Sequence, residues 1–266
     1  MTAADGRAPV VLLHALALDS SMWDAQREAL ERRGHRVIAF DQRGFGGTAL
    51  GDGPPSLDAV ADDLARELDR RGIARAVLAG VSMGGYVAMA FLRRHPGRTR
   101  ALALLSTRAQ ADDGAARAAR EGFAALMEDP VRGPAAVEAT APRLVGATTR
   151  AERPRVLAHV RAVAARSAPA SLAWAQRAIT AREDALDVLR DADIPAVVII
   201  GEEDELVTEA DARAMADALP RGRLVVVPRA GHLPPLEAPE ATQKELDTLL
   251  DELEALEART GAGEAR

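Results

Sequence analysis

The sequence predicts an α/β fold, a mostly parallel, doubly wound sheet with helices on both faces and a helical cap inserted above it. Three observations carry this. Short, continuous apolar runs recur along the chain, at Val10–Leu13, Val37–Phe40, Ala76–Gly80, Ala101–Leu105, Ala196–Ile200 and Leu224–Val227. Segments with helical spacing separate many of them, and strands that alternate with helices form parallel sheets buried on both faces. Between Arg108 and Asp193 the strand pattern disappears and only short helical patterns remain.

Each element has its own signal. Val10-Val11-Leu12-Leu13 lies between Pro9 and the loop that starts at His14, and Val37–Phe40 ends at Asp41. Neither run alternates with polar residues, which marks a strand with no solvent face. Leu57, Val60, Ala61, Leu64 and Leu68 share one helical face, and Gly72 stops that helix. The strand Ala76–Gly80 passes directly into a helix over Gly84–Arg94, closed by His95-Pro96-Gly97, and Ala101–Leu105 follows as a strand. Four helical stretches then run over Arg117–Met127, Val131–Leu144, Arg153–Arg166 and Ser171–Ala181, punctuated by Pro130, Pro142, Pro154 and Pro169. The ends of this region return to consecutive strands, so it reads as an insertion: residues 108–193 form the cap, and residues 1–107 and 194–266 form the core. Near the C-terminus, a helix over Glu209–Leu219 separates the last two strands. Leu246, Leu249, Leu250, Leu253 and Leu256 mark a final helix that packs on the sheet, and Arg259–Arg266 reads as a disordered tail.

Composition bounds the function. The 266 residues carry a net charge of -6 with acids and arginines interleaved, which excludes a basic stripe for nucleic acid. There is no cysteine, hence no disulfide and no thiol catalysis. The opening Met1–Gly6 is not a signal peptide, and no run approaches the roughly 18 apolar residues of a membrane span. The expectation is a cytoplasmic protein, monomer or homodimer, whose partner is a small-molecule substrate rather than a nucleic acid or a membrane. Gly44-Phe45-Gly46-Gly47 lacks the spacing of a phosphate loop, and no His/acid group has metal-ligand spacing, so no cofactor and no metal are expected.

The chemistry centres on Gly80-Val81-Ser82-Met83-Gly84. A strand that turns at once into a helix through Gly-x-Ser-x-Gly is the signature of a nucleophile elbow, with Ser82 at the helix N-terminus. A serine hydroxyl needs a base, and the base needs an orienting acid. In this architecture the chain order is Ser, Asp or Glu, then His. Of the five histidines, His35, His95 and His159 lie in a turn, at a helix end and in a cap helix, and His14 reads as structural. His232 follows the last strand in Ala230-Gly231-His232-Leu233. The acid comes from Gly201-Glu202-Glu203-Asp204-Glu205, where four carboxylates compete; Asp204 is chosen because a Gly-x-x-Asp turn directs a short side chain back towards the histidine.

Together with His14–Trp23 and Asp41-Gln42-Arg43-Gly44-Phe45-Gly46, these blocks resemble the α/β-hydrolase superfamily, and within it the 3-oxoadipate enol-lactonase and small serine esterase branch. The resemblance covers nearly the whole chain. It implies Ser82 as nucleophile, His232 as general base and acid, Asp204 as orienter, and an oxyanion hole from the Leu16 and Met83 amides. It also implies hydrolysis of a small carboxylic ester or lactone through an acyl-enzyme. The family usually has His-Gly where this chain has His14-Ala15, which bears on the Leu16 amide because alanine tolerates fewer conformations. Ala17 stands where relatives often carry proline, which counts against a perhydrolase or a cofactor-free haloperoxidase. Asp41-Gln42-Arg43-Gly44 reads as an internal ion pair and turn. Arg108 follows a strand at the cleft edge and is either a carboxylate-binding residue or a surface arginine. Trp23 and Trp174 either line the substrate pocket or belong to the core. A thioesterase, a C–C bond hydrolase, or a non-hydrolytic receptor or cofactor-free cyclase on the same fold remain alternatives.

Overall fold

The computed structural model describes residues 7–264. Six strands, β1 (Val10–Leu13), β2 (Val37–Phe40), β3 (Ala76–Val81), β4 (Thr99–Leu105), β5 (Ala196–Gly201) and β6 (Gly222–Val227), form one sheet in the order β2-β1-β3-β4-β5-β6. Every pairing is parallel. Successive residues along the strands point to opposite faces. Val11, Leu13, Leu78, Leu102, Leu104, Val198 and Ile200 pack in one apolar cluster, and Val10, Leu12, Val77, Ala79, Ala103, Val197 and Ile199 in another. Both faces are therefore buried, and this is why the strands read as unbroken apolar runs.

The helices α1 (Asp24–Arg32), α2 (Leu57–Arg70) and α3 (Met83–Arg94) follow β1, β2 and β3. Between β4 and β5 come α4 (Gly114–Leu126), α5 (Arg132–Thr140), a 3-10 turn (Ala141–Leu144), α6 (Ala147–Glu152), α7 (Pro154–Ala164), α8 (Pro169–Thr180) and α9 (Leu186–Arg190). The chain ends with α10 (Glu209–Ala218), α11 (Pro234–Glu237) and α12 (Pro239–Glu264). Leu57, Leu64 and Leu68 of α2, Val87 and Phe91 of α3 and Met215 of α10 join the first cluster; Leu30 of α1 and Leu246, Leu249 and Leu253 of α12 join the second. The winding is thus double, as the apolar patterning predicts.

Three details depart from the sequence reading. The stretch expected as one helix over Val131–Leu144 is α5 followed by a 3-10 turn, because Pro142 lacks the amide that would continue the α-helix. The short α9 lies inside the span assigned to the cap, yet it packs on α3 and α10 of the core. Finally, α12 continues to Glu264, so Arg259–Glu264 are helical rather than disordered. Ala265 and Arg266 of that expected tail, and the Met1–Gly6 opening, lie outside the described residues. No helix among the described residues is long and apolar enough to cross a membrane.

Candidate active site

Ser82 occupies a turn that almost no serine adopts. Its backbone sits at φ 53°, ψ -113°, between the last residue of β3 and the first of α3. Strain of this kind persists only where the surroundings over-determine it. Here they do. A Cβ on Gly80 would collide with the Gly84 carbonyl, and one on Gly84 with the Leu13 carbonyl of β1. The Ser82 amide donates to Leu105 of β4 at 2.9 Å, and the Thr107 hydroxyl donates to the Ser82 carbonyl at 2.9 Å. Between Ala76 and Phe91, Ser82 is the one residue that is not buried. The local fold hides every neighbour and presents the hydroxyl.

His232 and Asp204 meet on the loops after β6 and β5. Nδ1 of His232 lies 3.0 Å from both carboxylate oxygens of Asp204. A carboxylate only accepts, so Nδ1 carries the proton and Nε2 is the basic nitrogen. The two side chains are 3% and 1% exposed, so water does not compete for this bond. Burial acts to raise the Asp204 pKa. The His232 charge and N–H, with the Leu206 and Val207 amides at 2.9 and 3.1 Å, outweigh it and hold the carboxyl below the usual range.

Ser82 and His232 line one cavity of about 370 Å³. Its near wall includes Leu16, Tyr86, Arg108, Leu206 and Val207, and its far wall comes from the inserted helices, including Arg120, Phe123, Leu144, Leu172 and Gln176. Met83 opens α3, where the helix leaves its first amides without an intrahelical partner. In the turn carrying Leu16, the Leu18 amide bonds the Ala15 carbonyl at 3.1 Å. The left-handed residue of that turn is Ala17 (φ 66°), not Ala15, so the missing glycine at position 15 costs the turn nothing.

The other predicted residues fall less uniformly. Arg108 lines the cavity, but one Nη donates to the Leu206 carbonyl and its Nε is buried without a partner. Trp23 and Trp174 do not line the cavity, so of the two readings open for them as candidate substrate-binding residues the pocket one is corrected and the core one stands. Trp23 is wholly buried beneath the sheet edge, and Trp174 turns its indole N–H to the Gly53 carbonyl at 2.9 Å. The expected internal ion pair also has different partners. Arg43 binds Asp63 of α2 at 2.6 Å, while Asp41 accepts the Ser20 amide at 2.7 Å. His14 is structural, as read: it is fully buried, donates through Nδ1 to the Ala15 carbonyl at 2.9 Å and accepts the Gln42 amide at Nε2, 3.0 Å away. Burial holds its pKa down, in keeping with this neutral form.

Sequence reasoning missed Asp112, Arg120 and Gln176. Asp112 accepts from both Arg120 and Arg182, and Arg120 donates to Gln176 at 3.0 Å. The partners come from α4, α8 and the loops beside them, mostly far apart in sequence, so no local spacing announces them. Among the described residues, no cluster of three His, Cys, Asp or Glu side chains is placed to hold a metal ion.

An all-parallel sheet with a strained serine at a strand end and a histidine–aspartate pair beside it is a hydrolase architecture. The alpha/beta hydrolase fold model matches residues 8–239, and the chain belongs to that family. A thermophilic esterase from Thermogutta terrifontis, solved with malate bound, is 36% identical with a TM-score of 0.88, over 93% of this chain and 91% of that one. The enol-lactonase from Burkholderia xenovorans LB400 is 31% identical with a TM-score of 0.83, over 93% of both chains. BpoC of Mycobacterium tuberculosis, assigned as a non-heme bromoperoxidase, is 31% identical over 88% of this chain and 90% of its own. A haloperoxidase-type name thus occurs among the relatives, against the expectation drawn from Ala17. Matches to RutD of Azorhizobium caulinodans, assigned as a carbamate hydrolase, and to YisY of Bacillus subtilis span only 39% and 33% of those proteins.

Proposed function

We propose that the protein hydrolyses a small carboxylic ester or lactone through an acyl-enzyme. The observation that carries this reading is the shared cavity: Ser82, raised on its strained turn, opens into the same space as a His232 whose Nδ1 proton is fixed by Asp204. Nε2 of His232 takes the hydroxyl proton as Ser82 Oγ attacks the substrate carbonyl. The Met83 and Leu16 amides receive the oxyanion, each such donor contributing about 3 kcal/mol or more. The tetrahedral intermediate collapses, and His232 returns the proton to the leaving alkoxide. In the second half-reaction His232 deprotonates a water, which attacks the acyl-serine and releases the acid. For a lactone, the alkoxide stays tethered to the acyl group and leaves as one hydroxy acid, or as a keto acid from an enol lactone.

The inserted helices act as the cap, and substrate class follows from the wall they supply. Phe123, Leu144, Leu172 and Ile179 supply the apolar part of that wall and Arg120 and Gln176 its polar part, while Arg108 lies beside Leu206 and orients an acidic or carbonyl group of the substrate. Turnover of p-nitrophenyl esters from acetyl to octanoyl, in wild type and Ser82→Ala, tests this reading. Hydrolysis that disappears in the variant and peaks at a short acyl chain supports it. Equal rates in the two proteins would overturn the serine mechanism.

A further inference from the structure

The cap meets the catalytic loops around α6, where Arg150 pairs with Glu205 and Arg153 donates to the Arg229 carbonyl, and two glutamates add to the junction. Glu237 ends α11, five residues beyond His232, and is only 4% exposed. One of its carboxylate oxygens accepts the amide of Leu233, the residue after the histidine, at 3.0 Å. The other accepts the amide of Gly146, at the start of α6, at 2.7 Å. Glu203, the neighbour of Asp204, accepts the Thr148 amide at 2.8 Å and the Thr148 hydroxyl at 2.5 Å. The Asp204 and His232 loops are themselves joined, because the Glu203 amide donates to the Ala230 carbonyl at 2.8 Å.

Packing here leaves no slack. A Cβ on Gly231 would strike the Gly146 amide and the Val145 carbonyl carbon, and one on Gly201 would strike the Ala230 and Gly231 carbonyls. The clamped segment is continuous with Arg143 and Leu144, which line the same cavity as Ser82. A shift of this segment therefore moves the cavity wall and the histidine loop together.

Resting on the hydrolase reading above, we propose that Glu237, assisted by Glu203, is a positioning residue: it fixes the His232 backbone and the Val145–Thr148 segment of the cap in one register. Its carboxylate touches neither substrate nor triad side chain, and it acts through the Leu233 and Gly146 amides. Glutamine at 237 keeps the shape but turns its amide NH2, a donor, towards one of the two backbone N–H groups, so one tether is lost and the loop gains freedom. Freedom of the base lowers the rate of the chemical step more than it lowers ground-state binding.

The test uses a small alkyl fluorophosphonate, which reports attack by Ser82 with loss of fluoride and without engaging the far wall, together with p-nitrophenyl acetate. At a temperature where circular dichroism shows the variant fully folded, Glu237→Gln is expected to slow phosphonylation about tenfold and to lower kcat by a similar factor, with KM within about twofold of wild type. Glu203→Gln, at a half-exposed position, is expected to give about a threefold loss of the same kind. A folded Glu237→Gln protein that phosphonylates at the wild-type rate overturns the proposal, whatever its melting temperature. If Glu237→Gln does not fold, Glu203→Gln decides, and a wild-type rate there overturns it. A wild type that is not phosphonylated at all refutes the hydrolase reading instead, and the inference falls with it.

Discussion

At the carboxyl end of the interior strand β3, Ser82 is held by backbone atoms packed so closely that Gly80 and Gly84 admit no side chain. In the inserted helices, the corresponding task falls to charge. Asp112, 1% exposed, joins the loop after β4 to Arg120 of α4 and to Arg182 beyond α8, and the Arg182 guanidinium also stacks 4.3 Å above the Tyr86 ring. Sterically locked backbone responds little to pH or salt. A buried ion pair depends on the ionisation of both partners and loses several kcal/mol when one is removed. One wall of the cavity is therefore set by shape and the other by electrostatics, and only the second can be altered without touching the nucleophile.

Substitutions sharpen this contrast. Ser82→Ala should have the largest effect, a loss of about 10⁴ to 10⁶ in kcat at unchanged melting temperature, read by ester hydrolysis. A residual rate within tenfold of wild type would break the assignment of the nucleophile. Asp204→Asn should lower kcat by about 10⁴, because an amide can donate to Nδ1 and so favours the wrong tautomer. Asp112→Asn should act on the other wall. It leaves two arginines without their carboxylate and should cost about 3–5 kcal/mol in a denaturant titration, while phosphonylation of the folded fraction stays near wild type. A loss of less than 1 kcal/mol would show that the inserted helices do not depend on this pair.

The same carboxylate gives a pH signature. Burial acts to raise the Asp112 pKa, but the hydrogen bonds and charges of Arg182 and Arg120 prevail and hold it below the ordinary value. The unfolded chain therefore takes up its proton first as pH falls. The stabilisation is complete above about pH 5 and is lost through about pH 4 and below. Thermal melts from neutral pH to pH 3 should show this slope in wild type and a shallower one in Asp112→Asn. The smallest change expected is from Ala17→Gly. Alanine at φ 66° is strained, and glycine should raise Tm by about one to two degrees without changing kcat.

The core and its candidate site were legible for the same reason they are rigid. Strands buried on both faces leave unbroken apolar runs, and a strand that turns through two obligatory glycines leaves a fixed pentapeptide around Ser82. The cap gave weaker signals. Ala147–Glu152 and Leu186–Arg190 are too short to show a helical period. Trp23 and Trp174 show that a large aromatic side chain does not disclose whether it faces a cavity or a core. The positive φ at Ala17 was invisible because alanine, unlike glycine, gives no sign of a left-handed turn, and the absent glycine at 15 pointed to the wrong residue. Arg43 sits close to Asp41 in sequence but pairs with Asp63 of α2, and Asp112 draws one arginine from α4 and the other from the loop after α8. Such pairs are properties of the assembled fold and leave no local pattern.

The braces around Ser82 carry one more consequence, in the order of events. Leu13, Leu105 and Thr107 all precede the inserted helices in the chain, as do Gly80 and Gly84. During synthesis from the N-terminus, every group that bends the serine backbone emerges before the acid and the base do. On the mechanism proposed above, reactivity follows only when β5 and β6 add to the sheet and bring Asp204 and His232 into place, so the last strands to dock are also the ones that arm the nucleophile.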